Sequence, residues 1–450
     1  MKLTIIGGGG FRVPQIFEAL AGENEGVHIT ELCLFDSDPA RVTAIEAVLE
    51  QMAPALPRPP SVVSAASLDE AVSGAAFIFS AMRIGGTEGR IKDERIALDL
   101  GVLGQETTGP GGLAYAMRTL PHARDLAKRV ARLAPEAFLI NFTNPAGIVT
   151  EAMREELGDK VVGICDTPIG LMRRAVHAIG STPEQVDFDY VGLNHLGWLR
   201  SLKVDGVDKL PGLLADDVLL GGIEEARLMG LEWVRALGAI PNEYLYYYYF
   251  QREATARLAG SPETRGEFLH RQQSGFYADA CLHPERALES WQRTKHDREA
   301  SYMAESRPED QRTNREASDI EGGGYQQVAL DLMTALLGGK PATMILNVAN
   351  RGMVPQLPED AVIEVPCTVT AAGIVPKEIA PVTGEMLGLL QQVKTVERLV
   401  ISASKQKSET LAWRALAAHP LVDSIAVARQ LFETYREQIP GVAEAFAEGS

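Results

Sequence analysis

The chain has 450 residues, 46% hydrophobic and 23% charged, and 60 acidic against 43 basic side chains leave a formal net charge of −17. That length exceeds what one core ordinarily supports, so two domains are expected. The acidic balance argues against nucleic acid or an anionic membrane surface as partner. No run approaches the roughly 18 apolar residues of a membrane span, and MKLTIIGGGG reads as a strand and turn with no leader-type apolar region, so a cytoplasmic protein is expected. Cys33, Cys165, Cys281 and Cys367 show no paired spacing, which points away from a disulfide framework and from a structural zinc site.

Residues 2–6, KLTII, read as a strand running straight into Gly7, Gly8, Gly9 and Gly10, after which FRVPQIFEALAG carries Val13, Ile16, Phe17 and Leu20 at helical spacing. Strand, glycine turn and helix form the context in which backbone N–H groups and a helix N-terminus meet a pyrophosphate. The next strand, ITELCLFD, ends at Asp36, 29 residues after Gly7. An acidic side chain there accepts hydrogen bonds from ribose hydroxyls and favours NAD over NADP. A helix over 39–53, a proline-rich crossing and a short strand near Val62 follow. The buried strand 75–82 delivers Arg83 to the same rim, and Arg90 stands on the helix behind it. GQETTGPGG, residues 104–112, reads as a ligand-contacting loop, and helices over 113–118 and 121–134 come next, with Pro121 restarting the second. The strand AFLINFTNPAG presents Asn141 and Asn144, whose amides suit ribose or sugar hydroxyls.

From Val161 to Trp198 the chain reads VVGICDTPIG at one end and YVGLNHLGW at the other. Cys165 and His195 each stand just past an apolar strand, and they are the donors a soft or borderline metal would choose. Residues 168–180 read as a helix, 186–205 as strands either side of His195, and 210–240 as helices. PNEYLYYYYF, 241–250, holds five of the eleven tyrosines. Residues 291–326 are polar and read as a mobile loop or lid. Strands over 342–350 and 361–373 and long helices over 380–416 and 420–438 complete the chain.

GQETTGPGG, NFTNPAG, GICDTP and GLNHLGW, in that order, together with PNEYLYYY and IEVPC, resemble the motifs of glycoside hydrolase family 4. That family comprises NAD- and Mn-dependent glycosidases, many acting on 6-phosphorylated glycosides, and stands apart from glycosidases with two catalytic carboxylates. The resemblance implies an α/β fold related to lactate and malate dehydrogenases. An N-terminal Rossmann-type dinucleotide-binding domain over 1–165 would be followed by an α+β domain over 166–450 for metal, substrate and oligomerisation. It implies a soluble homo-oligomer, a dimer or tetramer, whose substrate is a small phosphorylated glycoside.

The resemblance further implies NAD+-dependent oxidation at C3 of the sugar, deprotonation at C2, elimination of the aglycone, addition of water and return of the hydride. Mn2+ or another divalent metal would be held by Cys165 and His195. Tyr244 would act as the C2 base and Asp166 as acid on the leaving oxygen. Gly7, Gly8, Gly9, Gly10, Phe11, Asp36, Arg83 and Asn141 would hold NAD+, and Arg90, Asn144, Asn194 and Arg265 the phosphorylated sugar. A 6-phospho-β-glucosidase is the first expectation. Asp166, Thr167 and Pro168 stand where many β-type enzymes have Asn-Val-Pro, which keeps 6-phospho-α-glucosidase open. A plain NAD-dependent sugar or hydroxy-acid dehydrogenase is the other alternative.

Overall fold

The computed structural model describes residues 1–22, 27–301 and 324–447. Its backbone is one continuous sheet of thirteen strands among these residues. Six are parallel: β1 (Lys2–Ile6), β2 (Glu31–Phe35), β3 (Ser61–Ser64), β4 (Phe77–Ser80), β5 (Phe138–Asn141) and β6 (Val161–Gly163). They lie side by side as β3-β2-β1-β4-β5-β6, the doubly wound order of dinucleotide-binding folds. The order reverses between β1 and β4, so a crevice opens there at the carboxyl ends of the strands. β1 and β4 are covered on both faces and are accordingly apolar almost throughout, whereas the edge strand β3 is largely exposed.

Beyond β6 the sheet continues antiparallel, through β11 (Ala342–Ala349) and β12 (Val362–Thr370) to β7 (Val186–Leu193), β8 (Leu196–Val204) and β10 (Ile240–Pro241). Two short strands, β9 (Val207–Asp208) and β13 (Gly373–Pro376), pair with β8 and β12. The last element of the parallel series therefore neighbours strands drawn from almost 180 residues later. The helix Gly384–Gln406 and those after it fold back onto the helix Pro110–Leu133, and their shared apolar faces form a second core. Bidentate hydrogen bonds of 2.7 and 2.6 Å from Arg118 to Asp93 lie beneath that core, both side chains almost fully buried. Among the described residues no helix is long and apolar enough to cross a membrane.

Three elements differ from expectation. Pro121 does not restart a helix: Pro110–Leu133 is a single helix with the proline inside it. An interior proline costs about 3 kcal/mol, which the unbroken buried stripe of Leu113, Met117, Leu120, Ala123 and Leu126 offsets. The helix expected over 380–416 breaks where Lys407 takes a left-handed backbone, φ 51°, and Ser408 caps a new helix, Glu409–Ala418. Residues 291–300 are the end of a helix, Ala287–Ala300, whose buried Trp291 and Thr294 mark an inner face. Residues 324–326 open or precede the helix Tyr325–Leu336, and the rest of the expected lid, 302–323, lies outside the described residues.

Candidate active site

At the reversal of strand order the glycine loop passes between the ends of β1, β2 and β4. Gly7 has φ +91°, and a Cβ there would meet the carbonyl oxygen of Ala81 at 2.5 Å; one at Gly8 would meet Phe35 N at 2.7 Å. No other residue type fits these two positions without moving a strand. The loop is held from behind. Asp36 Oδ2 accepts from Gly9 N at 3.1 Å, which sets the acidic side chain beside the loop it was expected to accompany. Three aromatic donors from the second half close on the loop's carbonyls: Tyr277 on Gly9 at 2.7 Å, Trp291 on Phe11 at 2.8 Å and Tyr325 on Arg12 at 2.9 Å. Phe11 itself packs edge-on to Phe276.

A cleft of about 210 Å3 opens beside this loop, and Gly7, Gly10, Phe11, Arg83, Cys165, Asp166, His195 and Tyr244 all line it. Arg90, Asn144 and Arg265, expected on the substrate, line it as well. Gly8, Gly9, Asp36, Asn141 and Asn194 do not. The fully buried Asn141 amide donates to Thr143 O, Ala146 O and Thr150 Oγ1, so it holds the turn that carries the cis Asn144–Pro145 bond. Asn194 Oδ1 accepts from Ala146 N at 2.9 Å and ties the same turn to the tip of the β7–β8 hairpin.

That tip presents His195. Leu193 pairs with Leu196, so Asn194 and His195 form a two-residue turn, and His195 takes φ 64°. Such a backbone costs about 1–3 kcal/mol outside glycine and is kept where its surroundings over-determine it. The ring is buried, which pushes its pKa down to about 4. The imidazole is thus neutral near pH 7. Its Nδ1 lies 2.8 Å from Thr107 Oγ1, which leaves Nε2 as the metal-facing nitrogen. Cys165 stands across the cleft, just past β6. Burial first, then the negative charges of Glu364 and Asp166, raise its thiol well above the ordinary range, while Thr107's neighbour in role, Thr167, partly offsets this by hydrogen bonding.

A thiol and a neutral imidazole at one cleft suit a borderline divalent ion once the thiol loses its proton. Among the described residues no cluster of three histidine, cysteine or acidic side chains could hold a metal, so a metal on this pair keeps positions for substrate oxygens and water. Tyr244 lies flat on His195, ring centroids 3.7 Å apart and planes within 4°. Its hydroxyl end is therefore carried at the same wall as the two donors. The remaining tyrosines of the segment pack: Tyr246 and Tyr247 are buried, and Tyr249 accepts from Trp198 Nε1 at 2.8 Å.

The cleft is also lined by six arginines, Arg12, Arg41, Arg83, Arg90, Arg265 and Arg298. Glu106 bridges Arg83 and Arg90, and Arg90 meets Glu94 at 2.7 Å. Burial alone would raise the Glu106 pKa, but Arg83 and Arg90 bring it down to about 2. Arg12 approaches Asp166 to 3.7 Å. At Arg298, burial first, then Arg12, Arg265, Arg83 and Arg90, push the pKa well below the ordinary arginine range. A guanidinium so crowded is stabilised by an incoming anion, above all one with two charges. Sequence reasoning missed Arg298 by taking its segment for a loop. The signal was the helical spacing of Ala287, Trp291, Thr294 and Arg298. It also missed Thr107 as the partner that orients His195, although the loop holding Thr107 was expected to contact ligand.

Comparison with known proteins agrees with this arrangement over both halves of the chain. Residues 2–181 match the family model described as Family 4 glycosyl hydrolase, and residues 190–422 match the model for that family's C-terminal domain. The probable 6-phospho-beta-glucosidase of Bacillus subtilis is 29% identical, covering 97% of this chain and 96% of its own. Among solved structures, the 6-phospho-beta glucosidase of Thermotoga maritima with manganese, NAD+ and glucose-6-phosphate is 26% identical with a TM-score of 0.80, over 97% of this chain and 98% of that one. A 6-phospho-alpha-glucosidase from gut microorganisms, in complex with NAD and glucose-6-phosphate, is 25% identical with a TM-score of 0.82, over 98% of each chain. Strand order, glycine loop and cleft are thus those of a known lineage, and the chain belongs to glycosyl hydrolase family 4.

Proposed function

We propose that the protein hydrolyses a 6-phospho-glucoside with the help of bound NAD+ and Mn2+. The observation that carries this reading is the convergence in one cleft of the glycine loop, the Cys165–His195 pair, Tyr244 and six arginines. The relatives with NAD, manganese and glucose-6-phosphate in their structures support it. Gly7 to Gly10 cradle the dinucleotide and Asp36 takes the ribose hydroxyls; Cys165 and His195 hold the metal. When bound, the two groups supply a reversible hydride acceptor and a Lewis acid for vicinal sugar oxygens.

The chain's own residues do the rest. Arg265 and Arg298 hold the 6-phosphate, with Arg90 and Arg83 anchored behind it by Glu106. Asn144 contacts a sugar hydroxyl. Tyr244 Oη removes the proton from C2, its phenolate favoured by a neighbouring cation. Asp166, at the N-terminus of the helix Thr167–Ala178 and 3.7 Å from Arg12, is the group assigned as acid on the departing oxygen, a role it fills only in its protonated form. Asn141 and Asn194 serve the turns and not the ligands. The β-glucoside is the first reading; the carboxylate of Asp166 in the cleft favours the α-anomer as the second. We further read the protein as a cytoplasmic homo-oligomer, a dimer or tetramer, which sedimentation of the purified chain measures.

Hydrolysis of α- and β-linked nitrophenyl glucosides, each with and without 6-phosphate, tests the reading in the presence of NAD+ and Mn2+. Turnover confined to a phosphorylated glycoside and abolished by EDTA is the expected result. Equal cleavage of the neutral sugar would remove the phosphate assignment, and full activity in a metal-free preparation would remove the metal.

A further inference from the structure

Cys165 follows β6 and His195 ends β7, yet these strands are not neighbours. Between them stand β11 and β12, contributed from residues 342–370. One register row crosses all four strands: Gly163 pairs with Asn347, Asn347 with Glu364, and Glu364 with Gly192. Cys165 lies two residues beyond one end of this row and His195 three beyond the other. We propose that Glu364 and Asn347 are positioning residues for the metal site, a polar brace that sets the spacing of Cys165 and His195.

The row is built for close approach. A Cβ on Gly163 would fall 2.5 Å from Thr150 Oγ1 and 2.9 Å from Asn347 Cβ, and one on Gly192 would fall 2.1 Å from Leu196 O. With glycine at both ends, the two side chains between them decide how the strands sit. Those side chains are polar and fully buried in two strands, β11 and β12, whose other buried positions are apolar. Asn347 Nδ2 donates to Glu364 Oε1 at 2.9 Å, and Tyr190 Oη donates to Glu364 Oε2 at 3.1 Å. Asn242 Nδ2 in turn donates to Tyr190 Oη at 3.2 Å. Gly197 is what admits the Tyr190 hydroxyl, since a Cβ there would lie 2.2 Å from it. Asn194, the residue before His195, lies beside Glu364, its Nδ2 buried and outside hydrogen-bond geometry.

An apolar pair would pack β11 on β12 as firmly, because a buried carboxylate is expensive to desolvate and rarely the stabilising choice. What directional donors add is a fixed geometry. Here the geometry is transmitted to the turn that carries one ligand and, through Gly163, to the strand end that carries the other. Partners one step removed from a metal are worth about 10- to 100-fold in its affinity. Glutamine at 364 keeps the volume but turns a donor toward other donors, so the brace cannot close in the same way.

This rests on the metal reading of Cys165 and His195 given above. Mn2+ binding, followed by electron paramagnetic resonance in the chain without substrate, should be about 10- to 100-fold weaker in Glu364→Gln, with NAD+ affinity unchanged. The thiolate-to-metal charge-transfer band of the Co2+-loaded protein should shift or fade in the same variant. A role in stability alone would lower the melting temperature and leave Mn2+ affinity and the cobalt band as in the wild type, which would overturn the proposal. Should Glu364→Gln fail to fold, Asn347→Ala removes one donor and little volume and carries the same expectation. A wild-type chain whose Mn2+ binding does not depend on Cys165 would overturn the metal reading itself, and this proposal with it.

Discussion

At the scale of single residues the cleft separates groups that hold a ligand from groups that hold one another. Tyr244 is the sharpest case, because its ring stacks on His195 and its hydroxyl is assigned the C2 proton. Tyr244→Phe keeps the stack and removes only the hydroxyl. It should lower kcat by about 10²- to 10⁴-fold while NAD+ affinity stays as in the wild type; an unchanged kcat would leave the ring a packing group. Glu106 makes a prediction about acid. Its folded pKa of about 2 lies below the ordinary 4.5, so the stability it contributes is full above pH 4.5 and is lost as pH falls toward 2. The shift corresponds to about 3 kcal/mol. Glu106→Gln should therefore be less stable than the wild type by a constant margin from pH 7 to 5, a margin that narrows below pH 4.5 in urea titrations. That Cys165 and His195 reach one cleft was legible in the sequence because each stands just past an apolar strand, whereas Tyr244 was marked only by the resemblance to the family. Thr107 was legible only as part of a loop, and Glu364 not at all as a site residue, because the partner of Thr107 is 88 residues away in sequence and those of Glu364 are 17 and 174 away.

At the scale of elements, parallel strands and their crossover helices were readable from apolar runs punctuated by glycine. The placement of β11 and β12 was not, since pairing partners leave no local mark. Both strands were expected, yet nothing in ATMILNVAN or IEVPC tells that they stand between the strands leading to Cys165 and His195. The helix Ala287–Ala300 shows the opposite failure. Its polar outer face outweighed a narrow inner one, Ala287, Trp291, Thr294 and Arg298, and concealed a helix end that lines the cleft. Arg265 donates to Arg298 O and Ser301 O at 3.0 Å each, so two arginine-bearing helices are tied together at the anion-facing wall. Losing one charge-assisted contact to a phosphate costs about 1.5–3 kcal/mol. Arg298→Ala should accordingly lower kcat/KM for a 6-phosphorylated glucoside by about 10- to 100-fold and affect the neutral glucoside far less. Equal loss on both would mean that the residue supports the helix and not the ligand.

At the scale of the whole molecule, an acidic chain of net charge −17 concentrates six arginines at one cleft. On a chain of that net charge, a local cluster of guanidinium groups is what an anionic ligand requires. The two halves share one sheet, and three aromatic donors from the second half grip the glycine loop of the first. NAD+ at 100 times its Kd should stabilise the chain by about 2.7 kcal/mol, a rise in melting temperature that urea or thermal titration reads directly. The central claim is that the hydride taken from the sugar is given back in each turnover, so that the chain is a hydrolase and not a dehydrogenase. Following nitrophenol release and NADH absorbance together, on a 6-phosphorylated nitrophenyl glucoside with NAD+ and Mn2+, measures this most directly. The account predicts many equivalents of nitrophenol with no net NADH, and NADH rising one for one with consumed substrate would contradict it.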